Sequence, residues 1–209
     1  MRRPENTRYR ITNLIRDHRL GIRFMKRQTA KQNEAAMRFF TPERYVQFNS
    51  ADDAMADRAD AEWEIALRDY RRHLDQIGDR LTSRAADLAE LALHDAEVHT
   101  WEKEINPTSN GQWSAVALMT LQCGRCITTF IYTLWDQVRE TTSPKDWPFS
   151  KKRTHWLYDE IDIQPRRTRS FWHRILLSDG RVLAIPFIDV VVHDFAVSAA
   201  KSTASRKTA

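Results

Sequence analysis

Glycine is scarce, at five residues in 209, which excludes collagen-like chains and Gly-rich repeats. Cysteine is scarcer still, with two. That is too few for a disulfide framework, and no second pair completes a four-ligand zinc site. No apolar run approaches the ~20 residues that span a bilayer, so neither a spanning helix nor a membrane partner is expected. Arg16 and Asp17 interrupt the one candidate for the apolar core of a secretory signal, and a cytoplasmic location is expected. What is present is apolar mass: 42% hydrophobic residues and 10% aromatic, including seven Trp. That suffices for a core and excludes a chain disordered throughout. The length suits about one large domain or two small ones.

The net charge of +5 invites a nucleic-acid partner, but the excess is local. Residues 1–36 carry ten Lys/Arg against three Asp/Glu, residues 37–100 eight against fourteen, and residues 101–209 fifteen against eleven. Everything after residue 36 therefore sums to −2. The basic segment reads as a flexible extension, a nucleic-acid-binding arm or an organelle-targeting stretch. Met37, opening Met-Arg-Phe-Phe-Thr-Pro-Glu, also reads as a natural chain start.

Periodicity divides the remainder. Thr41-Pro42-Glu43 is a helix start, with a cap, a proline at the first helical position and an acid at the positive end of the dipole. Ser50 followed by Asp53 resembles a capping box for a helix over 51–77. Its apolar stripe is Ala59, Trp63, Ala66, Tyr70, Leu74 and Ile77. Gly78 marks its stop, and a third helix is expected over 79–93. The period then shortens. Strands are expected over 95–104, 113–121, 127–135, 155–163, 171–177 and 182–193. Residues 106–111 form a turn cluster, and Asp179-Gly180 is a hairpin signal. Pro186 cannot donate to a ladder, so the last strand is expected at an edge or bulged there. The expected fold is α+β, with N-terminal helices packed on a C-terminal antiparallel β meander of about six strands. Residues 1–36 form a basic extension and 37–195 one domain, helical over 37–93 and β over 95–195. Residues 196–209 form a flexible tail.

Cys123-Gly124-Arg125-Cys126 is the sharpest chemical motif. Two cysteines at this spacing support thiol–disulfide exchange when a helix N-terminus lowers one thiol's pKa. Residues 127–138 also fit a helical stripe, which would give the strand–CxxC–helix order of thioredoxin. Against that order stand the Ile- and Thr-rich composition and a hairpin that precedes Pro186, where in thioredoxin it follows the proline. The plainer expectation is two reduced cysteines flanking a hairpin. His94-Asp95, with His73 upstream, matches part of the pattern of HD-type metal phosphohydrolases. Those enzymes carry their ligands on helices, whereas residues after 95 read as strands, so neither a metal nor a cofactor is expected. The pair reads more simply as a helix end. Asp159, Glu160 and Asp162 suit acid–base or metal chemistry, or a solvated strand face, and the solvated face is preferred. Arg166, Arg167, Arg169 and Arg174, near Trp156, Phe171 and Trp172, suit phosphate contact and stacking, or a basic turn whose aromatics pack inward.

Three stretches carry a family resemblance: residues 37–45, residues 92–98, and Tyr158-Asp159-Glu160 with residues 173–180. Together they resemble uncharacterised bacterial α+β families, some grouped with immunity proteins of toxin systems. The resemblance covers residues 37 to about 195 and implies no catalytic residue. The chain is therefore expected to be a non-catalytic binding or interaction protein, immunity-type or regulatory, with another protein as partner. Two alternatives stand beside this: a redox protein using Cys123 and Cys126, and a nucleic-acid-binding protein acting through residues 1–36.

Overall fold

A computed structural model describes residues 36–107, 113–123, 126–149 and 152–196. The basic extension up to residue 35, the turn cluster at 108–112, Gly124-Arg125 and the tail from 197 lie outside the described residues.

Helix α1 spans Pro42–Phe48, and the Thr41 hydroxyl accepts the Arg44 N–H at 3.3 Å. Helix α2 spans Asp53–Ile77. Its cap is Asp52, whose carboxylate accepts the Met55 N–H at 2.9 Å, while Ser50 accepts the Asp52 N–H at 3.1 Å. The capping box expected at Ser50 is thus displaced by an Asp closer to the first turn. The helix buries Ala59, Trp63, Ala66, Tyr70 and Ile77, the predicted stripe with Leu74 half-buried. The third helix differs from expectation. Gly78–Arg80 tightens into one 3₁₀ turn, the chain extends at Leu81 and Thr82, and α3 covers only Ser83–Ala89. Thr82 accepts the Ala85 N–H at 3.3 Å, a local cap that restarts the helix instead of continuing the previous one.

Strands follow as β1 (Glu97–Pro107), β2 (Trp113–Cys123), β3 (Cys126–Leu134), β4 (Arg139–Glu140), β5 (Trp156–Ile163), β6 (Phe171–Leu177) and β7 (Val182–Ala196). All pairings are antiparallel, in the order β1-β2-β3-β7-β6-β5, with β4 against β7. Two three-stranded meanders, β1-β2-β3 and β5-β6-β7, are thus joined by the pairing of β3 with β7. The sheet is curled. In a flat sheet β3 and β5, three positions apart, would be about 14 Å apart, yet the Phe130 and Trp156 rings are 5.8 Å apart. The curl brings the outer strands β1 and β5 together at their starts. Val98 N–H donates to Thr154 O at 2.8 Å, and Asp95 N–H to Trp156 O at 2.8 Å.

Pro186 explains itself in this topology. Strand β7 is interior, not at an edge. However, β3 ends where Leu134 meets Phe187, and β4 resumes where Arg139 meets Ala184. Pro186 sits in that gap, where its carbonyl accepts the Trp135 N–H at 3.2 Å and no partner strand needs the N–H it lacks. The β3–β7 register shifts at Thr133/Leu134, close by.

The inner face of the curl packs Phe130, Tyr132, Trp156, Ile175 and Phe187 around Leu88 of α3. Across β5 and β6, the other face packs Leu157, Leu176 and Val182 against Trp63, Ala66 and Tyr70 of α2, with Met37 and Phe40 between. Among the described residues no helix is long and apolar enough to cross a membrane.

The β6–β7 hairpin closes on Ser178-Asp179-Gly180, with Gly180 left-handed at φ +83 and its N–H donating to Leu177 O at 2.8 Å. A Cβ on Gly180 would come within 2.6 Å of the Trp147 indole. Replacing Gly180 with Ala is therefore expected to cost about 2 kcal/mol, from the backbone strain and the overpacking together. A thermal-denaturation midpoint unchanged from the native chain would refute this.

Candidate functional site: an arginine-lined cleft

The connection from β5 to β6 runs over residues 164–170. Gln164 N–H donates to Ser170 O at 2.7 Å and Arg167 N–H to Gln164 O at 3.2 Å, so the turn closes on its own backbone. Arg166, Arg167 and Arg169 are all exposed on it, while Ser170 at its end is buried. Arg169 is left-handed, at φ +51. The 3₁₀ turn after α2 brings Arg80 to the same place. The four arginines, with Thr168 and Ser170, line a cleft of about 390 Å³ floored by Ile163 and Phe171. Among the described residues no acidic side chain lines it, and none lies within ion-pair distance of these four guanidinium groups. At its edge the Arg167 guanidinium lies over the Trp135 ring, 5.0 Å from the centroid, and the Trp135 indole N–H donates to Phe171 O at 3.1 Å. A concave site lined by one sign of charge concentrates the opposite ion.

Arg174, grouped with these arginines in the sequence, is placed elsewhere. It is 5% exposed, opposite Glu160 in the β5–β6 register. Its guanidinium meets Asp162 at 3.3 Å. The acidic cluster of β5 is likewise not a solvated face. A register shift between Trp156 and Tyr158 puts two residues where one would stand, so Trp156 shares the inner face with Asp159, not the outer face with Tyr158 as strict alternation implies. On the inner face, Asp159 accepts the Trp156 indole N–H at 3.0 Å and contacts His173 Nε2 at 3.1 Å. His173 Nδ1 lies 2.9 Å from the Tyr132 hydroxyl. A carboxylate only accepts, so Nε2 carries the hydrogen, and in the neutral ring Nδ1 accepts from Tyr132. Burial, and then Asp159, push the Tyr132 pKa up and keep it a donor. On the outer face, Glu160 is 1% exposed and accepts the backbone N–H groups of Arg38, Phe39 and Phe40 at 2.8, 2.6 and 2.8 Å. Burial raises its pKa, outweighing those bonds and the nearby Arg174. Asp162 gathers Arg174, Arg38 at 3.6 Å and the His73 ring at 3.2 Å. Apart from the buried His73 Nε2, which lies near Asp162 without making a hydrogen bond, these polar groups are bonded to one another and to the backbone.

Cys123 and Cys126 pair across the β2–β3 hairpin. Residues 126–134 are strand, so the motif is not a strand-to-helix corner and has no helix N-terminus behind it. Cys126 is a free, exposed thiol. His94 and Asp95 form the turn between α3 and β1, with Asp95 left-handed at φ +66. The His94 ring stacks on Tyr158 at 4.8 Å, and its Nδ1 is 3.7 Å from Asp95. Among the described residues no three His, Cys, Asp or Glu side chains converge as a metal site.

Of the predicted binding residues, the cleft thus unites Arg166, Arg167 and Arg169 and leaves out His94, Asp95 and Arg174. Sequence reasoning missed Arg80, which lines the cleft, and Trp135, which contacts its Arg167 and Phe171; both arrive only through tertiary contacts and carry no local signal. The chain matches no protein-family model and no curated protein.

Proposed function

We propose that the protein is a non-catalytic binding protein whose site is this cleft and whose ligand is a phosphate-bearing anion. The observation that carries the reading is four arginines converging on one concavity with no acidic counter-charge among the described residues. Charges held that way repel one another, and an arriving anion relieves the repulsion while accepting several charge-assisted hydrogen bonds. The catalysis-capable groups His173, Asp159 and Glu160 are committed to internal bonds. The CxxC hairpin lacks the helix terminus that activates a thiol. The test is isothermal titration of the full chain with inorganic tripolyphosphate at low salt. Saturable binding is expected, weakened roughly tenfold by replacing Arg166 and Arg169 together with Ala, as loss of about 1.5 kcal/mol of charge-assisted bonding implies. Absence of binding, or affinity unaffected by that double substitution, would overturn the reading.

A further inference from the structure

We infer that the anion this cleft takes is the backbone of a single-stranded nucleic acid, with one base stacked at the Trp135–Arg167 edge; this rests on the reading of the cleft as an anion site. Two observations support it beyond bare positive charge.

The first is the aromatic edge. Trp135 is half-buried and tied by its indole N–H to Phe171, which floors the cleft, and the planar Arg167 guanidinium already lies over its ring. A planar cation on an indole at the edge of a basic cleft several phosphates in volume is the pairing that stacks a base while holding the next phosphate. Inorganic phosphate or a carboxylate has no use for the ring.

The second is what surrounds the cleft. Residues 37–100 carry eight basic and fourteen acidic side chains, so the cleft is a positive island beside an acidic helical region. A duplex is stiff on the scale of ~150 base pairs and cannot bend its backbone into a concavity of this size. A single strand is flexible and offers both an accessible phosphate and an unpaired base.

The experiment is fluorescence-anisotropy titration of the full chain with labelled oligothymidylate and oligouridylate of about 4 to 16 nucleotides. A duplex of the longest sequence and tripolyphosphate as competitor complete the set. The single strands are expected to bind more tightly as they lengthen, and at least tenfold more tightly than the duplex. The log–log salt slope should be about −3, the share of four arginines on a single strand. Replacing the exposed Arg167 with Ala, which leaves the Trp135 packing in place, should weaken oligonucleotide binding roughly tenfold and tripolyphosphate binding less. If tripolyphosphate binds and depends on Arg166 and Arg169, but oligonucleotides bind no more tightly than it does, or duplex equals single strand, this inference fails and the anion site stands. If neither ligand binds, both fail. Parallel titrations of the DNA and RNA probes decide between the two sugars, with preference for either one supporting the inference.

Discussion

Replacing His173 with Phe is expected to lower the stability of the fold by about 3 kcal/mol, although the ring that replaces the imidazole is apolar and similar in size. His173 is 0% exposed and lies between two polar groups on the inner face, the Tyr132 hydroxyl at 2.9 Å and the Asp159 carboxylate at 3.1 Å. Removing it leaves the Tyr132 hydroxyl fully buried with no acceptor, which costs roughly 1–3 kcal/mol on its own. Asp159 loses a second donor and keeps the Trp156 indole N–H and partial contact with solvent, so its share is smaller. In a chain of this length the loss corresponds to a fall in melting temperature of about 9 °C. The decisive comparison is the double variant. Adding Tyr132→Phe removes the stranded hydroxyl, and replacing both partners by apolar groups is close to neutral where replacing one is not. His173→Phe with Tyr132→Phe should therefore be at least about 1 kcal/mol more stable than His173→Phe alone. If the double variant is the less stable of the two in denaturant titrations, the Tyr132–His173 bond is not what the histidine supplies.

That buried row could not be read from the sequence, whereas much of its scaffold could. Helix α2 was legible because one stripe, Ala59 to Ile77, repeats with helical spacing through most of its 25 residues, and all but one of its members are buried. The β6–β7 turn was legible because Asp179-Gly180 states its own backbone requirement, and Gly180 meets it at φ +83. Both features are local. The pairing of β3 with β7 is not. Nothing in either strand names its neighbour, and the gap that tolerates Pro186 exists only once β3 and β4 are both placed on β7. The inserted residue between Trp156 and Tyr158 is equally silent, since an alternating run looks the same with or without a bulge. It moves Trp156 to the inner face and so supplies Asp159 with a partner.

The candidate site divides along the same line. Arg166, Arg167 and Arg169 were legible as a group because one turn carries them. Arg174 was misplaced among them, because β6 turns it to the outer face and buries it beside Glu160 and Asp162. Polar residues in a strand read as a solvated face by composition. Whether they are covered depends on a segment far away in the chain, here residues 37–40 laid over β5.

That cover makes the second large effect. Replacing Glu160 with Ala is expected to cost about 4 kcal/mol, because one carboxylate satisfies three consecutive backbone N–H groups that no helix or strand of their own supplies. Without it, residues 38–40 must find water, and the Phe40 contacts with Trp63 at 5.3 Å and Tyr158 at 5.5 Å loosen with them. Glu160→Gln separates the bonds from the charge. Its amide oxygen still accepts from Phe39 and Phe40, while its nitrogen faces the Arg38 N–H, so the loss should be about 1 kcal/mol. The pH dependence carries the sign. Burial raises the pKa of Glu160 in the folded chain above its value in the unfolded one. Between those two values the folded state binds more protons, so this group's contribution falls as pH rises through the window above about 4.3. The neutral glutamine has no such term. The stability gap between the native chain and Glu160→Gln should therefore be widest at the acid end of the window and narrow towards neutral pH. Denaturant titrations at several pH values read it directly. A gap that widens with pH would show that the carboxylate is held below its ordinary pKa, with the three N–H bonds outweighing burial. An Ala variant within about 1 kcal/mol of the native chain would show that residues 38–40 do not depend on Glu160 at all.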